Sequence, residues 1–250
     1  MAVYLKEFEN HTQYENYING SGVKLPNVSI CTTEGDVHYS PYVDPYVGHE
    51  YVEIGGLKWA TMNVGANSVT DTGLYFQWGD ISGYTAAQCG SGEGQKYFSW
   101  ADYKYSTNVQ EYTADMSKYN DTDHLVTLEA SDDAVQVNWG GQWRMPTRAE
   151  YVALGNAVNT AWTADYQGSG VAGLVCSVKT DSSKVLFFPA CGSCFIGSVR
   201  NVGIHCNYWS SSLRSSEFKN AYYVLFSEGG ANWQYYDYRT GGYPVRGVVG

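Results

Sequence analysis

The residues of this chain best suited to metal chemistry lie close together, as Cys191-x-x-Cys194 followed by His205-Cys206. Three thiolates and an imidazole form a donor set that tetrahedral zinc accepts. The spacing matches no regular finger or ribbon, and two ligands on adjacent residues would reach one ion awkwardly, so no metal is expected there. A disulfide between Cys191 and Cys194 is disfavoured too. The six cysteines, Cys31, Cys89, Cys176, Cys191, Cys194 and Cys206, are too sparse for a disulfide scaffold and read as mostly free thiols. Asp121, Asp123, Glu129, Asp132 and Asp133 offer the oxygen ligands calcium takes, but in no regular calcium-loop pattern. Helix capping and a solvated acidic loop account for them better. Nucleophilic catalysis needs a base beside a cysteine or serine, and His11, His38, His49, His124 and His205 present no such pairing in the sequence. The expectation is a protein without catalytic residues or cofactor.

The stretch from Leu186 to Gly250 suits a different chemistry. Aromatic residues alternate there with Gly, Ser and Asn, and the run Tyr235-Tyr236-Asp237-Tyr238 follows Trp233. Tyr and Trp give stiff contact area at low entropy cost, and small polar residues give adaptable hydrogen bonds. Four consecutive residues of this kind cannot all be buried on one side of a strand, so an exposed contact surface is expected. Trp209, Tyr222, Phe226 and Trp233 are expected to be scaffold instead.

Composition narrows the partners. Aromatic residues make up 16% of the chain, with 23 Tyr, and the formal net charge is −10 without any basic cluster. Nucleic acid and anionic membranes both demand a positive footprint, so neither is an expected partner. The first residues, Met1 to Glu9, hold no apolar stretch of the secretory kind, and the apolar run Val185 to Ala190 is far shorter than a membrane span.

The elements that must carry this surface can be read in part. Residues 1–50 are expected to form a small module, with a helix started by the Thr12/Glu15 capping box and stopped near Gly20. A hairpin follows, from Asn27–Thr33 and Asp36–Ser40 across Glu34-Gly35, and Pro41, Pro45 and Gly48 mark the exit. Residues 51–250 are expected to form the main domain, opening with a hairpin around Gly55-Gly56 that pairs later with the chain end. Residues 65–98 read as a long loop packed by its own aromatics. Ser99 is expected to cap a helix over Trp100 to Tyr105, and Ser131 another at Ala134. Thr147 and Glu150 form a second capping box, before an apolar stripe of Tyr151, Leu154, Val158 and Trp162. Gly173–Thr180 and Lys184–Ala190 read as a hairpin across Asp181-Ser182-Ser183. Alternation from Ala221 to Phe226 sets Tyr222, Val224 and Phe226 against Tyr223 and Leu225, one set in the core and the other free to face a ligand.

Five ordered motifs carry a family likeness: GGQWRMPTRAEYVAL (Gly140 to Leu154), LFFPA (Leu186 to Ala190), NYWSSS (Asn207 to Ser212), AYYVLF (Ala221 to Phe226) and PVRGV (Pro244 to Val248). In these the chain, over residues 51–250, resembles the bacterial and phage C-type-lectin-fold domains related to formylglycine-generating enzymes and to the Fibrobacter major paralogous domain. It is most similar to the subgroup diversified by retroelements. The segment LPNVSICTTEGDVHYSP (Leu25 to Pro41) is similar to attachment modules of tail-associated proteins in phages of gut Bacteroidales.

The resemblance implies an α+β C-type lectin fold of short mixed strands, two helices and long ordered loops, with both termini in one sheet. It also implies a variable region over 191–244. Diversified codons end in a pyrimidine, and the matching positions are Phe195, Ile196, Val199, Ile204, His205, Arg214, Phe218, Tyr223, Leu225, Tyr235, Tyr236, Asp237, Tyr238 and Thr240. Glu217, Lys219 and Gln234 lie among them and do not fit such codons. The implied protein is a non-enzymatic phage tail adhesin, carried on the virion. Residues 1–50 would attach to a tail protein, the target would be a bacterial surface protein or glycan, and a homotrimer would suit a tail position. The alternatives are a bacterial surface adhesin of the same fold and a formylglycine-generating cysteine or metal oxidase.

Overall fold

The computed structural model describes residues 49–250 together with two N-terminal strands, β1 (Ile30–Thr33) and β2 (Asp36–Tyr39). These strands pair antiparallel, with Thr33 opposite Asp36. The helix expected over Thr12 to Gly20 lies outside the described residues. The chain divides into two compact units, Met1–Gly48 and His49–Gly250.

The second unit is a mixed α+β structure, mainly β. It opens with β3 (Tyr51–Ile54) and β4 (Leu57–Asn63), joined by Gly55 and Gly56 at φ of +62° and +82°. Two successive positive φ angles are what a two-residue hairpin loop with the twist of the strands requires. Residues 65–98 bury Tyr75, Phe76, Trp78 and Phe98, so this long connection is packed by its own aromatic side chains. A single 3-10 turn, Trp100–Asp102, replaces the longer helix expected to Tyr105. The Asp102 carboxylate gathers the amides of Tyr97, Phe98 and Ser99, which fixes the turn but does not extend it. Next come β5 (Ser106–Gln110) and β6 (Thr113–Met116), a hairpin whose polar residues gave no strand signal.

Helix α1 (Ala134–Trp139) is capped by Asp133, not Ser131: the Asp133 carboxylate accepts from Val135 and Gln136 N–H. Helix α2 (Arg148–Ala157) starts at the Thr147/Glu150 capping box as its sequence predicts. It ends earlier than its apolar stripe. Val158 turns extended, and β7 (Val158–Thr163) carries both Val158 and Trp162 into pairing with β8 (Gly173–Val178). Spacing at three and four residues suits a helix, but β-branched and aromatic residues also suit a strand. In β9 (Asp181–Pro189), Asp181 already pairs with Val178, so the turn falls at Lys179-Thr180 and Ser182 to Lys184 form a bulge.

A short hairpin, β10 (Ser193–Phe195) and β11 (Ser198–Arg200), precedes the last three-stranded sheet. That sheet runs β12 (Cys206–Leu213), β13 (Asn220–Ser227), β14 (Gly230–Tyr238) in order. The final strand, β15 (Arg246–Val249), returns to pair with β4, so the start and end of the unit share one sheet in the order β15-β4-β3. The main core gathers Ile54 and Trp59 from the first hairpin, Tyr151 and Leu154 from α2, and Leu186, Phe188, Tyr208, Val224, Phe226 and Val248 from the sheets.

Arg246 joins these parts. Its guanidinium is fully buried and donates to Asn63 Oδ1 at 2.9 Å, to the Ala60 and Thr61 carbonyls at 2.9 and 2.6 Å, and to the Phe187 carbonyl at 3.1 Å. Removing the guanidinium would leave several buried acceptors without donors, each costing about 1–3 kcal/mol. Arg246→Met is therefore expected to lower the unfolding free energy by about 3–5 kcal/mol in denaturant titration. A loss below about 1 kcal/mol would contradict this role.

Candidate ligand-binding surface

Strand β13 is covered on both faces, and this decides which aromatics are free. On one side, Val224 and Phe226 lie in the main core and Trp233 packs at 4.5 Å from Phe226. A methyl group built on Gly155 would come within 2.6 Å of the Trp233 indole, so α2 needs a glycine there. On the other side, Trp209, Tyr223 and Tyr243 form a cluster with ring centres 4.4 to 5.8 Å apart. The Trp209 indole donates to the carbonyls of Phe76 and Gly241. Tyr222 is half-buried, with the Arg148 guanidinium 4.4 Å from its ring centre. Trp209 and Phe226 are thus fully buried scaffold, and Trp233 is partly buried against it.

The division expected along Ala221 to Phe226 needs correction, because neither set is free. Tyr223 is 6% exposed and Leu225 half-buried. A β-bulge also sets two residues of β14, Trp233 and Gln234, opposite Val224 alone. This is how one strand can turn Trp233 inward and still present the next residues at the edge.

Those next residues form the exposed patch. Tyr235, Tyr236 and Tyr238 are 44%, 43% and 42% exposed. Tyr235 and Tyr236 lie nearly parallel, 5.9 Å apart, and the Arg214 guanidinium stacks 3.5 Å from the Tyr236 ring centre while pairing with Glu217. Asp237 accepts a 2.5 Å hydrogen bond from the Tyr243 hydroxyl. Burial, reinforced by the Asp237 charge, pushes the Tyr243 phenol well above its ordinary range, so it remains a donor.

The remaining candidate positions divide by burial. Ile196 and Ile204 are exposed, and Phe195, Val199, His205, Arg214 and Phe218 are half-buried. Tyr223 and Thr240 are buried, at 6% and 1% exposure, which removes them from a display surface.

Two concavities accompany the patch. One of about 270 Å³ is lined by Ser99, Trp100, Glu111, Tyr112, Phe195, Ile196, Tyr238 and Thr240, bringing the β5–β6 tip, the β10–β11 tip and β14 together. Sequence reasoning missed Trp100, Glu111 and Tyr112, which lie more than 80 residues before Phe195. The other, of about 440 Å³, lies beside Phe218 and Lys219 and is walled by Met116 and Asn120.

The sulfur and carboxylate groups do other work. Cys191 and Cys206 belong to the main core, where Cys206 Sγ donates to the Phe188 carbonyl and Cys191 Sγ lies 3.4 Å from the Tyr208 hydroxyl. Cys194 sits apart in a small cluster with Tyr75 and Phe98, against which Cys89 packs. The Cys194 interaction with Cys89 lowers the Cys89 thiol and raises Cys194. Asp132 accepts from Lys104, Lys118 and the Tyr119 hydroxyl. Burial acts to raise its pKa, but those donors outweigh it and hold the carboxyl well below the usual range. Asp123 accepts backbone amides from Tyr119, Asn120 and Leu125. Among the described residues, no three His, Cys, Asp or Glu side chains gather as metal ligands would, and no helix is long and apolar enough to cross a membrane.

Comparison with protein families, with characterised proteins and with solved structures yields no match.

Cys89 is half-buried, whereas Cys176, Cys191, Cys194 and Cys206 are buried. In a Cys31→Ser chain, brief iodoacetamide treatment of the native protein should therefore alkylate Cys89 alone, as read by peptide mass spectrometry. Native-state alkylation of Cys191 or Cys206 would contradict this burial pattern.

Proposed function

We propose that this chain is a non-enzymatic receptor-binding protein, with a C-type lectin scaffold displaying a diversifiable aromatic surface for a bacterial surface receptor. The observation that carries the reading is the exposure of Tyr235, Tyr236 and Tyr238 on a strand whose inner neighbours are fully packed. Exposed aromatics on a rigid base supply contact area without a large ordering cost, which is what binding surfaces of this composition do. Ile196, which shares a concavity with Tyr238, extends the apolar area, while Arg214 and Asp237 supply polar selectivity. The first and last strands of the unit, joined through β4 in the β15-β4-β3 sheet, support a lectin-like scaffold in which the display face is separate from the closure of the fold. We assign residues 1–50 to attachment on a phage tail, where several copies would convert weak contacts into avidity.

The test is binding of the labelled full chain to whole cells of a panel of gut Bacteroidales, read by flow cytometry. The chain is expected to label a subset of strains. The triple variant Tyr235→Ser, Tyr236→Ser, Tyr238→Ser is expected to lose at least about tenfold in affinity, since exposed aromatic hot spots are each worth about 1–2 kcal/mol or more. Undiminished labelling by the variant, or labelling of no strain by the wild-type chain, would overturn the reading.

A further inference from the structure

The 270 Å³ concavity has a composition that favours one kind of guest. Its walls include four aromatic side chains, Trp100, Tyr112, Phe195 and Tyr238, and its one charged group is Glu111. Trp100 and Tyr238 meet edge to face at 5.5 Å, which turns the walls at an angle to each other. Tyr112, at the tip of the β5–β6 hairpin, is 75% exposed and directly follows Glu111 in the chain. Aromatic faces carry negative potential and attract cations, and a neighbouring carboxylate adds a charge-assisted hydrogen bond.

The chain already uses this chemistry on itself, next to the same strand. The buried guanidinium of Arg239 lies 4.9, 5.2, 5.5 and 5.7 Å from the ring centres of Trp78, Tyr103, Tyr105 and Tyr119. Tyr103 of that inner cage touches Trp100 edge to face at 6.1 Å, so the two aromatic groups are continuous. The inner cage is filled. In the outer one, Arg200 lies 5.9 Å from the Phe195 ring, and among the described residues no cation lies over Trp100, Tyr112 or Tyr238.

We propose that this concavity is a binding site for a cationic side chain, the guanidinium or ammonium end of an Arg or Lys presented by a protein receptor. The inference rests on the recognition role proposed for this face and names the chemistry of its partner. Charge supports it, since a net charge of −10 favours approach of a cation. Hydrogen-bonding capacity separates it from a sugar. Apart from Glu111 and the exposed Tyr112 hydroxyl, the polar lining is Ser99 and the buried Thr240, too little to satisfy the several hydroxyls of a glycan.

The experiment is an NMR titration of the full chain, following the Trp indole resonances. Three probes are used: acetyl-Gly-Arg-Gly-amide, its norleucine counterpart, and methyl mannoside. The arginine peptide is expected to bind saturably with Kd on the order of 1 mM. Glu111→Gln and Tyr112→Ala, both at an exposed hairpin tip, should each weaken it by about threefold to tenfold, and added salt should weaken it further. Norleucine peptide and mannoside should give no saturable shift. No arginine binding, equal affinity for norleucine peptide or mannoside, or unchanged arginine affinity in both variants would overturn the proposal. Cell labelling reads the other question: labelling without arginine binding removes the cationic site alone, and arginine binding by a chain that labels no cells removes the receptor reading alone.

Discussion

Two buried guanidiniums satisfy main-chain carbonyls inside the unit, Arg246 those of residues in strands β4 and β9 and Arg239 those of irregular connections, and the unit depends on them. Arg246 ties β4, β9 and β15 together. Arg239 bonds the Lys118, Tyr119 and Phe218 carbonyls and the Tyr103 hydroxyl. The fold is a set of two- and three-stranded sheets, with long irregular connections between them. Such connections bring carbonyls inside without the ladder that would normally satisfy them. A guanidinium offers five donors in a planar fork, so one side chain can serve several of these oxygens at once. The charge of Arg239 is compensated by ring faces, which carries the same solution into an aromatic-rich interior.

That arrangement explains how so many aromatics can be structural and yet leave a surface. Trp78, Trp143, Trp209, Tyr119, Tyr151 and Tyr208 are almost completely buried. Their burial fixes β12 and β13, and β13 in turn fixes the edge strand β14 through its ladder. The bulge at Trp233-Gln234 then lets the outer half of β14 leave the core. Tyr235, Tyr236 and Tyr238 are therefore placed by backbone pairing with β13 and lie partly open to solvent.

Local signals were legible where the chemistry is local. The Thr147/Glu150 capping box and the Gly55-Gly56 loop each need only a few neighbouring residues, and both stand where the sequence puts them. The Tyr235 to Tyr238 run was legible for a related reason, since consecutive aromatics on a strand cannot all turn inward. The end of α2 was not, because Val158 and Trp162 satisfy a helical stripe and a strand equally, and pairing with β8 decides. The β5–β6 hairpin was missed because its Glu111-Tyr112 tip has no glycine and its strands are polar. Arg246 gave no signal at all: its carbonyl partners lie 59 to 186 residues away. The packing of Cys89 against the Cys194 cluster, and the cavity shared by Phe195, Trp100 and Tyr112, are likewise products of tertiary packing.

We propose that the side chains of the exposed face can be exchanged without loss of the scaffold, and equilibrium unfolding tests this most directly. In a chain carrying Ser at positions 196, 204, 235, 236 and 238, replacing Ile196, Ile204, Tyr235, Tyr236 and Tyr238, the denaturant dependence should be unchanged. Its total stability should fall by less than about 3 kcal/mol, as expected for surface changes of about 0.5 kcal/mol each. A larger loss, or a non-cooperative transition, would show that these side chains hold the fold together and would contradict the account.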